Sequence, residues 1–299
     1  MGMRIVYNPY TVLLQGIAQD RAALNTALGQ VSSGQKFNTI GADPTAVAGV
    51  IENNFEAANL DQYTQSVSTL QAQFQTAGTA LDSVTQALTS AISLGIEGAN
   101  GTLDQNQRDA IATQASQLEQ EVLGYANTRE QGSYLFAGTA TTTPPYVENS
   151  ASPSGVAYVG NSGTNQVEIG DAESVQQNLP GSTIFNAAGA DVFQGFHDLI
   201  SALQNGDATA INNATSELQA AFANVGVQRT FYSSALQNLT GASYTLSQAQ
   251  LNLSQQQDNL LQVDEATAVT NMSTDQVDLD AALAAAGKVD QNNLLDYLK

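Results

Sequence analysis

The side chains that could do acid–base or metal chemistry in this sequence are carboxylates, and their spacing is unsuited to it. Asp278-Leu279-Asp280 and Asp264-Glu265 are the tightest groupings. On a helix, residues one or two positions apart point to different faces, so neither forms a metal cradle or sets a general acid beside a general base. Both read as solvated helix faces. The single histidine, His197, lies in DVFQGFHDLIS beside Phe193, Phe196 and Leu199 with no triad partner in sight, and reads as a packed or surface residue. With no Cys in the chain, thiol nucleophiles, Cys/His zinc sites and disulfide frameworks are excluded. Neither GxGxxG nor GxxxxGK occurs, which removes the usual phosphate loops. The sequons at Asn213, Asn238, Asn252 and Asn271 fall on predicted helices and read as chance matches. The sequence therefore predicts no catalytic residue, no cofactor and no metal, and it is not expected to encode an enzyme.

The charge balance narrows the partners. Eight Lys and Arg stand against 28 Asp and Glu, a formal charge of -20, which repels nucleic acid and anionic lipid. No apolar run approaches the ~18 residues that a membrane helix requires. The opening MGMRIVYNPYTVLL lacks the charged and apolar regions of a secretory signal, and MGMRIV has no Ser or Thr at position 6 to suit myristoylation. Any exit from the cell is expected to use a route that reads no cleaved signal.

What the chain offers instead is periodicity. Leu60, Tyr63, Val67, Leu70, Phe74, Ala77, Leu81, Val84, Leu88 and Ala91 keep one heptad register, and Gly95, Gly98 and Gly101 then punctuate it. Thr102 or Asp104 is placed to cap a second helix carrying Ile111, Ala115, Leu118, Val122 and Tyr125, folded back on the first as an antiparallel hairpin. A third register runs from Ile211 through Leu218, Val225, Tyr232, Leu239, Leu246, Leu253, Gln256 and Leu260 to Val263. At 1.5 Å per residue it predicts a rod of about 80 Å, so an elongated molecule is expected. Gly226 and Gly241 within it cost about 1 kcal/mol each, and tertiary packing must hold them helical.

Both ends predict helices with one apolar face: Tyr10, Leu14, Ile17, Leu24, Leu28 and Val31, interrupted by Arg21, then Val269, Met272, Leu279, Leu283 and Ala286, with Leu294, Leu295 and Leu298 as a last apolar turn. The two stripes are expected to pair with each other and with copies of themselves. Between Ser133 and Phe185 the pattern changes to short alternating pieces and turn clusters such as TTTPPY, GNSG and LPGS, which predict a β-rich insert. Lys and Arg are absent from 130 through 228, as suits a water-facing lobe. The expected fold is mainly α: an elongated bundle of long heptad-patterned helices with paired N- and C-terminal helices and a small inserted β-rich domain. Its expected divisions are a terminal coiled-coil assembly region at 1–42 and 264–299, a helical rod at 43–132 and 191–263, and the insert at 133–190.

Several motifs then combine in order along the whole chain. They are Met3-Arg4-Ile5, SSGQKFNTIGADPTAV at 32–47, GSYLFAGT at 132–139 followed by Pro144-Pro145-Tyr146, and the closing DEATAVTN and LLDYLK. Together they resemble the bacterial flagellar hook-associated protein type 3 family, the hook–filament junction proteins of the flagellin superfamily. Ala42 stands where that family tends to carry a second Asp, and Met1-Gly2 precede its usual Met-Arg-Ile start. Flagellin looks similar at both ends but usually has Ala-Gly-Leu where Asp43-Pro44 stands here, and it ends differently. The resemblance implies unfolded export through the flagellar type III apparatus, an export chaperone, and a ring of self-associating copies on the extracellular flagellum. Its implied partners are another hook-associated junction protein and flagellin. The assembly interface expected is Leu14, Ile17, Leu24, Leu28, Val31, Val269, Met272, Leu279, Leu283, Leu294, Leu295 and Leu298. The competing readings are a flagellin-like filament subunit, a coiled-coil binding module whose insert recognises a ligand, and an enzyme with its site in the insert.

Overall fold

The computed structural model describes residues 9–37, 41 and 43–297. Seven helices appear among them, interleaved with short strands: α1 (Pro9–Ser33), α2 (Pro44–Gly98), α3 (Gln105–Ala126), α4 (Gly181–Phe185), α5 (Val192–Asn205), α6 (Ala208–Leu261) and α7 (Glu265–Tyr297). The helix starts give part of the chain's acidity a structural use. Asp43, Asp104, Asp191, Asp207 and Asp264 each precede a helix and accept backbone N–H bonds from its first turn. A carboxylate there satisfies donors that have no partner in the helix and faces the positive end of its dipole. At α3 the cap is reciprocal, since the Gln107 side chain accepts from the Asp104 backbone at 2.9 Å. Of the two candidates for this cap, Asp104 takes the role. Gly206, at φ 69°, closes α5 in the left-handed conformation.

The chain divides into two compact units, one of residues 1–58 and 250–299, the other of residues 59–249. In the second, the predicted α2 register is buried from Val67 to Ala91, and the α6 register from Ile211 to Leu246. α3 and α5 add Ile111, Ala115, Val122, Phe196, Leu199 and Leu203 to the same core. α3 folds back along α2 as the hairpin reading expects, with Gly98 beside Ile111 and the Thr76 hydroxyl donating to Glu130 at 3.0 Å. α2 runs through Gly95 and ends at Gly98, where the chain turns, as the punctuation reading expects. Their missing side chains let other helices approach, for a Cβ at Gly95 would meet the Thr215 hydroxyl and one at Gly98 the Leu203 side chain. Phe74 meets Tyr232 edge-on at 5.5 Å between ring centroids. Toward the end of α6 the inward positions are Leu253, Gln257 and Leu260, while Gln256, expected in the register, is exposed.

The insert is built from four separate antiparallel strand pairs rather than one sheet. They are β1 (Arg129–Glu130) with β2 (Ser133–Tyr134), β3 (Tyr146–Glu148) with β4 (Val156–Tyr158), β5 (Gln166–Gly170) with β6 (Glu173–Gln176), and β7 (Asn186–Ala187) with β8 (Ala190–Asp191). Pairs this short have no stability of their own and must be held by packing. Tyr146 supplies much of it. Its buried ring contacts Tyr158, Phe185 and Phe193 at 5.1–5.5 Å. Its hydroxyl donates to Asn186 Oδ1 at 2.7 Å, and its backbone bonds Asn127 through both N–H and C=O. Asn186 in turn donates to Asp191, the cap of α5, so one hydrogen-bonded chain ties the β3 strand to a core helix.

Candidate assembly interface

The unit formed by residues 1–58 and 250–299 carries most of the residues expected to make subunit contacts. α1 ends at Ser32-Ser33-Gly34, and Gly34, at φ 68°, turns the chain. Gln35 then bridges Gln262 in antiparallel fashion, Lys36 N–H donates to the Leu261 carbonyl at 2.7 Å, and Val263 N–H donates to the Gly34 carbonyl at 3.0 Å. The Lys36 ammonium reaches the Asn259 carbonyl at 2.7 Å. This clasp makes α7 run antiparallel to α1, and the two helices pack together. At the start of α7 the Thr267 hydroxyl and backbone N–H, with the Ala266 N–H, hold the Asp264 carboxyl below the usual carboxylate range.

The packed seam follows strict 4-3 spacing on both helices. On α1 it comprises Leu13, Ile17, Asp20, Leu24, Ala27 and Val31; on α7 it comprises Ala268, Met272, Asp275, Leu279, Ala282 and Ala286. Ala27 and Ala268 are buried and the rest half-buried. Ile17, Leu24, Val31, Met272 and Leu279 therefore stand together inside this unit. Leu14, Leu28, Val269 and Leu283 do not: they are 47–50% exposed. Leu294 and Leu295 lie on the last turns of α7, whose side chains fall outside the described residues, and Leu298 is outside them altogether.

The four exposed residues are not scattered. Leu14 and Leu28 are two heptads apart with Arg21 midway, each one position past a seam residue, and Val269 and Leu283 repeat this with Gln276 midway. In an antiparallel pair, equivalent flanks lie on the same side. Carrying the Gln35–Gln262 register along both helices sets Leu28 by Val269, Arg21 by Gln276 and Leu14 by Leu283. The result is one outward stripe with apolar ends and a polar middle.

Sequence reading missed the seam residues Leu13, Ala27, Ala268 and Ala282, and also Asp20 and Asp275. The signal was available in the 13-17-20-24-27-31 spacing, but two Asp residues at seam positions break an apolar template. Asn53, on α2 in the same unit, is 7% exposed, and its Nδ2 has no partner among the described residues. His197 is exposed. Among the described residues no group of three His, Cys, Asp or Glu is placed to hold a metal, and no helix is long and apolar enough to cross a membrane.

Residues 6–141 match the bacterial flagellin N-terminal helical region. Flagellar hook-associated protein 3 of Escherichia coli K12 is 26% identical over 179 residues, which are 60% of this chain and 55% of that protein. The chain thus matches just over half of that relative's length. Among solved structures, a putative flagellar hook-associated protein from Vibrio parahaemolyticus superposes with a TM-score of 0.68 at 22% identity, over 74% of this chain and all of the other. FlgL of Xanthomonas campestris gives 0.62 at 16% identity, over 68% of this chain and 98% of the other. These structures share the fold, and all three relatives are flagellar proteins rather than enzymes. The chain thus carries a stretch similar to the flagellin N-terminal helical region and is similar, over part of its length, to flagellar hook-associated protein 3.

Proposed function

We propose that this chain is a structural protein joining the flagellar hook to the flagellin filament, exported by the flagellar type III apparatus and assembled as a ring through its terminal helices. The observation that carries this reading is the outward stripe on the α1–α7 pair. Leu14, Leu28, Val269 and Leu283 are long apolar side chains that the intrachain seam leaves 47–50% exposed, and a second copy offering the same stripe would bury them. The terminal region of 1–42 and 264–299 is then the assembly element, the helices of 43–132 and 191–263 the rod, and 133–190 the outward-facing insert. Its partners in this reading are further copies of itself, the other hook-associated junction protein, flagellin and an export chaperone.

Electron microscopy of cells lacking the protein tests the role. Hooks without filaments, and unpolymerised flagellin in the medium, are expected. Normal filaments on the deletion strain would overturn the proposal, and filaments missing with no unpolymerised flagellin in the medium would favour a flagellin-like filament subunit.

A further inference from the structure

A polar cleft of about 180 Å³ opens between α2 and the insert, within the unit of residues 59–249. Its wall includes Gln73, Ser133, Tyr134, Thr141, Asn165 and Gln177. None of these carries a formal charge. The nearest cation is already engaged: the Arg129 guanidinium lies over the Tyr134 ring at 4.8 Å from its centroid and donates to the Gly132 carbonyl at 2.7 Å.

The cleft is held rigidly while its lining stays available. Asn178, only 8% exposed, accepts from Asn165 N–H at 2.8 Å and donates to the Gly163 carbonyl at 3.0 Å, which fixes the loop before β5. Gln177 donates to Gln73 Oε1 at 3.2 Å, joining the insert to α2. That bond orients the two amides and leaves Gln73 Nε2 as a donor and Gln177 Oε1 as an acceptor. The Ser133 and Thr141 hydroxyls and the Asn165 carboxamide have no hydrogen-bond partner among the described residues. The lining therefore alternates free donors and acceptors with no charge among them.

We propose that this cleft binds one neutral polyhydroxylated ring, a hexopyranose unit, through Gln73, Ser133, Thr141, Asn165 and Gln177. Each sugar hydroxyl donates and accepts at once, which suits side-chain amides and hydroxyls set side by side, and a neutral ring avoids the repulsion that an anionic ligand meets on this surface. A peptide segment would call for a continuous run of backbone partners, whereas this wall, which also holds Leu135, offers chiefly side-chain amides and hydroxyls. This site is independent of the assembly stripe and does not rest on the junction role.

The test is a titration of the full chain with methyl glucoside, methyl galactoside and methyl N-acetylglucosaminide, followed by amide chemical shifts. Saturable shifts at residues 133–141 and 163–178 are expected for at least one glycoside at millimolar concentration. Glucuronate should bind more weakly than its neutral counterpart. Ser133→Ala and Asn165→Ala each remove one free group and should weaken binding by about fivefold, with unchanged melting because neither side chain bonds to the fold. Shifts absent for all three glycosides, shifts scattered beyond the cleft, or variants that bind as the parent does would each overturn the proposal. Saturable binding of a blocked dipeptide in place of every sugar would overturn the ligand class.

Discussion

Replacing Glu119 with Gln removes a proton-binding group that the fold has made unusually basic. Glu119 sits on α3 between the buried Ala115 and Val122, in the seam spacing of that helix, and is itself half-buried. Burial, and next the carboxylate of Glu148 on β3, push its pKa from 4.5 up to about 7. Because the folded state holds the proton more tightly than the unfolded chain, this group's contribution to stability is fully present below 4.5 and is lost as pH rises through about 7. At ~1.36 kcal/mol per tenfold, that rise corresponds to roughly 3.4 kcal/mol in a fully shielded site. Glu119 is only partly shielded, and screening by solvent reduces the effect to about 1–2 kcal/mol. For a unit of this size each kcal/mol moves Tm by about 2–4 °C, so melting should fall by about 2–8 °C between pH 5 and pH 8. Circular dichroism melts across that range check it. Glu119→Gln should flatten the profile, matching the parent near pH 5 and exceeding it by about 1–2 kcal/mol near pH 8. A parent profile without slope, or a Gln variant that keeps the slope, would refute the reasoning.

Three further outcomes follow from the geometry. Leu24→Asp, in the α1–α7 seam, should cost about 3 kcal/mol of that pairing and expose both ends to limited proteolysis, whereas Leu283→Asp, 50% exposed, should leave proteolysis unchanged and abolish assembly on the hook. Filaments attached normally in the Leu283 variant would show that the outward stripe is not a subunit contact. Gly95→Ala should destabilise in urea by about 1–3 kcal/mol through its collision with Thr215; Gly226→Ala, on open helix surface, should stabilise by about 0.5–1 kcal/mol. Asn53→Leu replaces a buried amide whose Nδ2 has no partner among the described residues and should raise melting by the equivalent of about 1 kcal/mol, while a fall would reveal a partner for that amide in the assembled state.

Much was legible in the sequence because it is written at short range. Heptad spacing depends only on the helical repeat, so Leu70, Leu81, Leu88, Leu218, Val225 and Leu239 could be placed in a core before any coordinates. The change to turn clusters and alternation after Ser133 marked the insert for the same local reason. Which of two adjacent apolar residues faces inward was not local. Leu13 and Leu14, or Ala27 and Leu28, satisfy a helical stripe equally well on α1 alone. The partner helix decides between them, and the clasp of Gly34–Lys36 with Leu261–Val263 fixes how α7 lies against α1. The same holds for Gly95, which reads as a helix breaker in isolation and becomes a close-approach point only because Thr215 arrives from more than 100 positions away. The carboxylates divide likewise: caps such as Asp104 follow from spacing, whereas the raised pKa of Glu119 depends on its burial in the packed fold and, after that, on a strand that brings Glu148 near it. Propensity and periodicity are properties of a segment; burial, register and electrostatic environment belong to pairs of segments, and only the tertiary fold chooses the pairs.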